Sequence, residues 1–178
     1  FLLLTVSGLP LVADDDDDDR RRLNARLTGF QEVPAVSTEG RGDFRATINE
    51  AGTSISFRLR FSGLSSATSA AHIHLGQRDV NGGVLAFLCG GGGKPACPMA
   101  GTVEGTIVAA DVTGLTAQGI AAGEFAEVVR AIRAGVVYVN VHTTNFPNGE
   151  VRGQIGGGGR DHDDDDDEDG EDHDEDNG

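Results

Sequence analysis

The chain has 178 residues and a formal net charge of −15 at pH 7, from 29 acidic and 14 basic residues. This length suits one domain core with extensions rather than two cores. Nineteen of the acids lie in two tracts, at 14–19 and 161–176, and the segment 23–159 between them is neutral, with ten acids and ten bases. Nucleic-acid binding needs a basic face, and the only arginine cluster in the sequence adjoins the first acidic tract, so this composition argues against a nucleic-acid partner.

The first thirteen residues are apolar, and two interpretations stay open. They resemble the apolar part of a signal peptide ending at Ala13, although no Met and no basic region precede them. Thirteen residues cannot cross a bilayer as a helix, so no transmembrane segment is predicted. Alternatively the stretch is a strand that pairs with an open sheet edge of a neighbouring molecule and builds filaments. The residues assigned to such assembly are Phe1, Leu2, Leu3, Leu4 and Val6.

The two acidic tracts are expected to lie outside the folded domain, because runs of like charge repel and bury nothing. The predicted organisation is therefore 1–22 as an amino-terminal extension, 23–159 as the domain and 160–178 as an acidic tail. Carboxylate oxygens suit calcium, so loose calcium binding is predicted there. The alternative is that the tracts only maintain solubility. The representative cation-binding residues are Asp14, Asp15, Asp16, Asp163, Asp164 and Asp165.

Short alternating segments separated by turn residues fill the domain, a pattern typical of a sandwich or barrel. The alternation is cleanest at Ile55, Phe57, Leu59 and Phe61, where each apolar residue is followed by a polar one. Strands are predicted in seven other segments of the chain. They are 23–30, 44–48, 71–75, 84–89, 102–110, 137–142 and 150–155.

One short helix is predicted within 123–135, because Phe125, Val128, Val129 and Ile132 follow the spacing of a single helical face. No parallel-sheet rhythm of alternating strands and helices occurs. The predicted fold is therefore all-β: an antiparallel, Greek-key-like β-sandwich of about eight strands with one short helix, flanked by acidic low-complexity tails.

The two cysteines, Cys89 and Cys97, enclose a glycine-rich loop. An even count at short spacing favours a loop-closing disulfide and an oxidising compartment. A cysteine metal site is the weaker interpretation, since the sequence has no second cysteine pair.

Three stretches resemble the chordin-domain (CHRD) family. They are LTGFQEVP at 27–34, AHIHLG at 71–76, and YVNVHT at 138–143 followed by FPNGEVRGQI at 146–155. The resemblance covers nearly all of 23–155 and excludes the tails. It implies a secreted or cell-surface β-domain without a well-defined activity, so a non-enzymatic structural or binding role is expected.

Three histidines form a candidate metal site. His72 and His74 are two residues apart, so on a strand both rings project from one face, and His142 lies on another predicted strand. Three imidazoles suit copper or zinc, with copper ahead by ligand preference. The alternative is that the histidines pin strand ends through hydrogen bonds, with Asn140 or Thr143 as partners.

A copper-dependent redox enzyme is a further hypothesis for the same trio. The stretch around His72 and His74 also resembles the copper-ligand strand of copper/zinc superoxide dismutases, but the other two histidines, His162 and His173, lie in the acidic tail. No nucleophile or acid–base constellation is evident, so no enzymatic activity is expected. Glu150 and Arg152, two apart on a predicted strand, are expected to form a structural ion pair.

Overall fold

The computed structural model describes residues 20–157. The apolar amino-terminal segment and both acidic tracts lie outside this range. The predictions for assembly and calcium binding therefore fall on residues outside the described part of the chain. These residues are Phe1, Leu2, Leu3, Leu4, Val6, Asp14, Asp15, Asp16, Asp163, Asp164 and Asp165.

The described chain confirms the all-β prediction, with eight strands of four residues or more, one two-residue strand, one α-helix and three short 3-10 helices. A loop with one of the 3-10 helices joins β1 to β2, shorter connections join β2 to β3 and β3 to β4, and the helix α1 (Phe125–Arg133) follows β6. The strands are β1 (Arg22–Thr28), β2 (Arg41–Ile48), β3 (Ser54–Ser62), β4 (Thr68–Leu75), β5 (Gly83–Cys89), β6 (Gly101–Val108), β7 (Val137–Thr143), β8 (Val151–Gln154) and β9 (Gly156–Gly157).

All strands pair in an antiparallel manner in one sheet with the order β5-β4-β7-β8-β1-β2-β3-β6, and β9 lies beside β1. The two end strands, β5 and β6, contact each other, so the sheet curls into a nearly closed, sandwich-like barrel. The half formed by β4, β5, β7 and β8 then faces the half formed by β1, β2, β3 and β6 across a shared apolar core.

The core follows from alternation in the first strands and from helical spacing in α1. In β2 and β3 every second residue is buried and its neighbours are exposed or half-buried, as the sequence pattern predicted. The helix buries Phe125, Val128, Val129 and Ile132. Its apolar face packs toward the core, and its acidic and basic residues lie on the other side.

Strand β7 departs from alternation, because all seven of its residues are buried. Its valines face the core, while Tyr138, Asn140 and His142 lie on the other face, which loops cover. A disulfide joins Cys89 to Cys97, as predicted, and closes the loop that leaves β5. No helix among the described residues is long and apolar enough to cross a membrane.

Candidate metal centre

The three predicted histidines come together on the loop-covered face of β4 and β7. Each of His72, His74 and His142 offers one nitrogen that lies within 4.8 Å of those of the other two. The closest pair is His72 Nδ1 and His142 Nε2, at 3.0 Å. No other His, Cys, Asp or Glu among residues 20–157 joins this cluster.

The local sheet geometry explains why these side chains meet. On β7 the partner of Ala70 is His142 and the partner of His72 is Asn140, so His142 is the diagonal neighbour of His72. The pairing of β4 with β5 shifts register between Ala71 and His72 and again between Ile73 and His74. Such irregularities turn side chains out of their regular directions, and here they adjoin both β4 histidines.

Backbone carbonyls fix the tautomers of two imidazoles. His74 Nδ1 donates to Gly82 O and His142 Nδ1 donates to Pro147 O, each at 3.0 Å, since a carbonyl can only accept. A neutral imidazole has one N–H, so Nε2 of both rings carries a lone pair. Backbone or carboxylate acceptors commonly orient metal-binding histidines in this way.

The remaining proton positions leave two buried lone pairs. Because His142 Nε2 can only accept, His72 Nδ1 donates to it and His72 Nε2 carries a lone pair. Among the protein atoms described, His72 Nε2 and His74 Nε2 are buried without a hydrogen-bond partner. A buried polar atom left in this state is unfavourable by about 1–3 kcal/mol. The cluster therefore has two buried nitrogen acceptors without a donor among the protein atoms described.

Burial keeps the trio uncharged at neutral pH. Loss of solvation, followed by the neighbouring His142 and His74, lowers the pKa of His72 to about 3. Loss of solvation also lowers the pKa of His74 to about 4. Burial likewise holds the pKa of His142 below its usual range. Neutral imidazole is the form that binds a metal, so protons do not compete for these nitrogens near pH 7.

Aromatic rings form two walls of the site. Phe87 and His72 pack edge to face with ring centres 4.5 Å apart, and Tyr138 stacks on His74 at 4.8 Å with an interplanar angle of 6°. The disulfide-closed loop packs on Phe87, since a β-carbon on Gly91 or Gly92 would lie 2.6 Å from an atom of its ring. These walls limit the access of water to the imidazoles.

The segment 76–82 covers the site and is tied to β8. Arg152 Nη2 donates to Gln77 O at 2.9 Å, and Gln154 Nε2 donates to Gly76 O at 3.0 Å. Gly82 N donates to the Tyr138 hydroxyl at 3.1 Å. A β-carbon on Gly82 would lie 1.6 Å from Leu75 O, so only glycine fits where the carbonyl meets His74.

A second polar cluster lies beside the trio. Asn140 Nδ2 donates to Glu32 Oε2 at 3.2 Å, and the Arg152 guanidinium lies 3.5 Å from the Tyr138 ring centre. Burial raises the pKa of Glu32 to about 7, although Arg152 and Asn140 oppose the shift. A β-carbon on Gly149 would lie 2.6 Å from Glu32 Oε1. Residues of the opening and closing motif stretches therefore meet beside the trio.

The predicted ion pair between Glu150 and Arg152 is wrong. The Glu150 carboxylate is fully buried and accepts from Thr38 Oγ1, Ser65 N, Ser65 Oγ and Thr143 Oγ1 at 2.7–2.8 Å. Hydroxyl groups and one amide take the place of the expected guanidinium.

The predicted hydrogen-bond partners of the histidines, Asn140 and Thr143, are also wrong. Asn140 bonds to Glu32 and Thr143 bonds to Glu150, while the carbonyls of Gly82 and Pro147 hold the imidazoles. Backbone carbonyls have no signature in a sequence. Turn residues at 82–83 and 147–149 were the available signal, and they indicate a turn without its direction.

The roles of Phe87 and Glu32 were missed as well. Phe87 reads as an ordinary strand residue, and its contact with His72 depends on the shifted β4–β5 register. Glu32 lies in the opening motif stretch, but nothing in its neighbours distinguishes a buried carboxylate from an exposed one.

Comparison with known families gives one match. A family model described as CHRD domain matches residues 23–155. No curated protein and no solved structure matches the chain. The matched range holds all three histidines, both cysteines and the Glu32–Asn140 cluster.

Proposed function

The chain belongs to the CHRD-domain family, and from that premise we propose that it is an extracellular, non-enzymatic domain that binds one copper ion through His72, His74 and His142. Zinc is the second choice of metal. The observation that carries this proposal is the convergence of three imidazole nitrogens within 4.8 Å, two of the rings having a buried Nε2 without a partner.

The distances suit a single ion. Metal–nitrogen bonds of about 2.0–2.1 Å place the nitrogens of a tetrahedral site roughly 3.3 Å apart. His72 Nδ1 and His142 Nε2 are already 3.0 Å apart, and one nitrogen from each ring lies within 4.8 Å of the others, so small rotations of the rings bring them into range. Binding through His72 Nδ1 also requires that its proton move to Nε2, which gives the other neutral tautomer. For nitrogen ligands, copper(II) binds more tightly than zinc, which supports copper as the preferred metal.

Binding rather than catalysis is supported by how the site is enclosed. Phe87 and Tyr138 pack against two of the imidazoles, and segment 76–82 lies over His74. A walled site with three neutral ligands holds an ion well and leaves little room for a second reactant. Only His72 is half-buried rather than buried, and a copper-dependent redox reaction, the remaining enzymatic alternative, would need access there.

An extracellular location is supported by the family and by the Cys89–Cys97 disulfide, which persists in an oxidising environment. Calcium remains the proposed partner of the acidic tracts at 14–19 and 161–176. The acidic tracts, with their oxygen ligands, would then bind calcium, and the domain, with its nitrogen ligands, would bind copper.

The test is metal content after copper loading and removal of loose ions. The wild-type chain is expected to retain one copper per chain, and His72→Ala and His142→Ala are each expected to lose it. His173→Ala, which keeps the trio, is the matched control and retains the ion. Since every variant keeps the acidic tracts, copper that stays undiminished in His72→Ala and His142→Ala would contradict the proposal.

A filament subunit is the second candidate function. Among the described residues, β5 and β6 each have a strand partner on one side only, so the ends of the sheet offer edges to an added strand. The proposed donor is the apolar stretch that contains Phe1, Leu4 and Val6. Electron microscopy of protein lacking 1–13 tests this, and filaments that persist after the deletion would rule out donor-strand assembly.

A further inference from the structure

One face of the sheet concentrates positive charge on an otherwise neutral domain. The outward side chains of β1, β2, β3 and β6 include two acids, Asp43 and Glu104, and no lysine. The basic side chains on this face are Arg22, at the start of β1, and five arginines of the neutral segment 23–159. We call these five the arginine face: Arg26, Arg41, Arg45, Arg58 and Arg60. Half of the ten bases of 23–159 thus share one surface with two of its ten acids.

The strand register places like charges side by side. Arg45 on β2 lies directly opposite Arg58 on β3, an arrangement that is unfavourable unless an anion offsets it. Glu104 forms an ion pair with Arg58. Asp43 lies opposite Arg26 on one side and Arg60 on the other. Arg45 therefore has no acidic residue directly opposite it on either neighbouring strand. Arg45, Arg58, Arg60 and Asp43 also line a surface cavity of about 200 Å³.

The carboxy-terminal acidic tract starts beside this face. Gly156 and Gly157 pair with Asn24 and Leu23, so the chain leaves the described range along β1. The first acid, Asp161, follows four residues after Gly157, within about 13 Å of extended chain. The four strands span roughly 15 Å, and the sixteen residues of 161–176 extend to about 50 Å, so the tract can cross the whole face.

We propose that the arginine face is the docking surface for the acidic tract 161–176 of the same chain. Thirteen carboxylates on the tract meet five guanidinium groups on the face. Arginine forks suit bidentate contacts with carboxylates. The short tether gives the tract a high effective concentration at the face, so weak individual pairs act together. Because the pairs are exposed, salt releases the tract.

The test uses nitrogen-15-labelled full-length protein and follows the Nε–Hε signals of the arginines by NMR. The wild-type chain is compared with a full-length variant in which every Asp of 161–176 is Asn and every Glu is Gln. Signals of Arg26, Arg41, Arg45, Arg58 and Arg60 are expected to shift between the two proteins. The signal of Arg130, which is exposed on α1, is the internal control and stays in place.

Two further measurements separate this occupant from others. The differences are expected to be independent of protein concentration and to collapse between about 0.05 and 0.5 M salt, as the Debye length falls from roughly 14 to 4 Å. Unchanged signals of the arginine face, or an equal shift at Arg130, would overturn the proposal. Differences that vanish on dilution would also overturn it, because they would assign the arginine face to a neighbouring chain. Differences that arise only when the acids of 14–19 are neutralised would assign the face to the other acidic tract and would overturn it as well.

Discussion

The two halves of the sheet are built on the same pleat but differ in what covers their outer faces. In β2 exposed and buried residues alternate at every position, whereas all seven residues of β7 are buried. Both strands place apolar side chains in the core. The difference arises because loops lie over β4 and β7, whereas no loop of residues 20–157 covers the arginine face.

Coverage by loops determines whether the polar side chains on an outer face are solvated or buried. On the arginine face Arg58 and Glu104 pair in water, where an ion pair contributes little. On the covered face His74, Asn140 and Arg152 are buried, so their partners and pKa values are set by the protein. The covered half therefore holds the candidate metal site, and the open half presents positive charge to an acidic partner.

The largest expected contrast is in stability. Glu150→Ala leaves the hydroxyls of Thr38, Ser65 and Thr143 without their shared acceptor, and removing a buried, hydrogen-bonded charge costs about 3 kcal/mol. Glu104→Ala on the open half is expected to change stability by about 0.5 kcal/mol. Urea unfolding of both variants gives the comparison, and equal losses would show that coverage by loops does not set the difference.

The alternating half could be predicted from the sequence almost residue by residue. Ile55, Phe57, Leu59 and Phe61 are buried as their period-two spacing predicted, and the four apolar residues of α1 pack as their spacing predicted. Alternation indicates a strand with one buried face and one solvent-exposed face, so it predicts burial correctly where the outer face of the sheet is exposed. The arginine face itself follows from the same pattern once the strand order is known.

The covered half could be predicted only in part. The spacing of His72 and His74 placed them on one face, and the alternation in 137–142 placed His142 on a second strand, but the distance between them depended on which strands are neighbours. The carbonyls of Gly82 and Pro147 and the environment of Glu150 were not predictable, because they depend on loop paths. The order of polar and apolar residues does not show which strand a loop will pack against.

The disulfide provides the second contrast. Changing Cys89 and Cys97 to Ala is expected to cost about 2.5 kcal/mol, the loop-entropy value for a closed segment of this size. Because loop residues Gly91 and Gly92 pack on Phe87, the change is also expected to loosen the ring beside His72. Hydrogen exchange is expected to rise more in β5 than in β2, where only the loss of global stability contributes. Equal increases in both strands would show that the loop does not act locally.

The third contrast is in metal affinity. Gly82→Ala forces a β-carbon against Leu75 O and displaces the carbonyl that orients His74, so copper affinity is expected to fall about tenfold. Gly156→Ala is the matched control, since a β-carbon there has no atom within 4 Å. Competition with a copper chelator measures both variants. An unchanged affinity in Gly82→Ala would mean that this carbonyl does not position the ligand.

The fourth contrast is in the pH dependence of stability. Burial raises the pKa of Glu32 from 4.5 to about 7, so the folded chain binds this proton more tightly than the unfolded chain. The resulting stability is fully present below pH 4.5 and is lost as pH rises through 7. Glu32→Gln is expected to flatten the curve in this window. A curve with unchanged slope would show that Glu32 is ionised throughout the range.

X-ray absorption at the copper edge tests the central claim most directly, because it reports the atoms bound to the ion. The loaded wild-type chain is expected to show three imidazole nitrogens at about 2.0 Å, and His142→Ala is expected to lose one of them or the whole site. A shell of oxygens with no imidazole scattering, unchanged in His142→Ala, would place the copper on carboxylates and contradict the account.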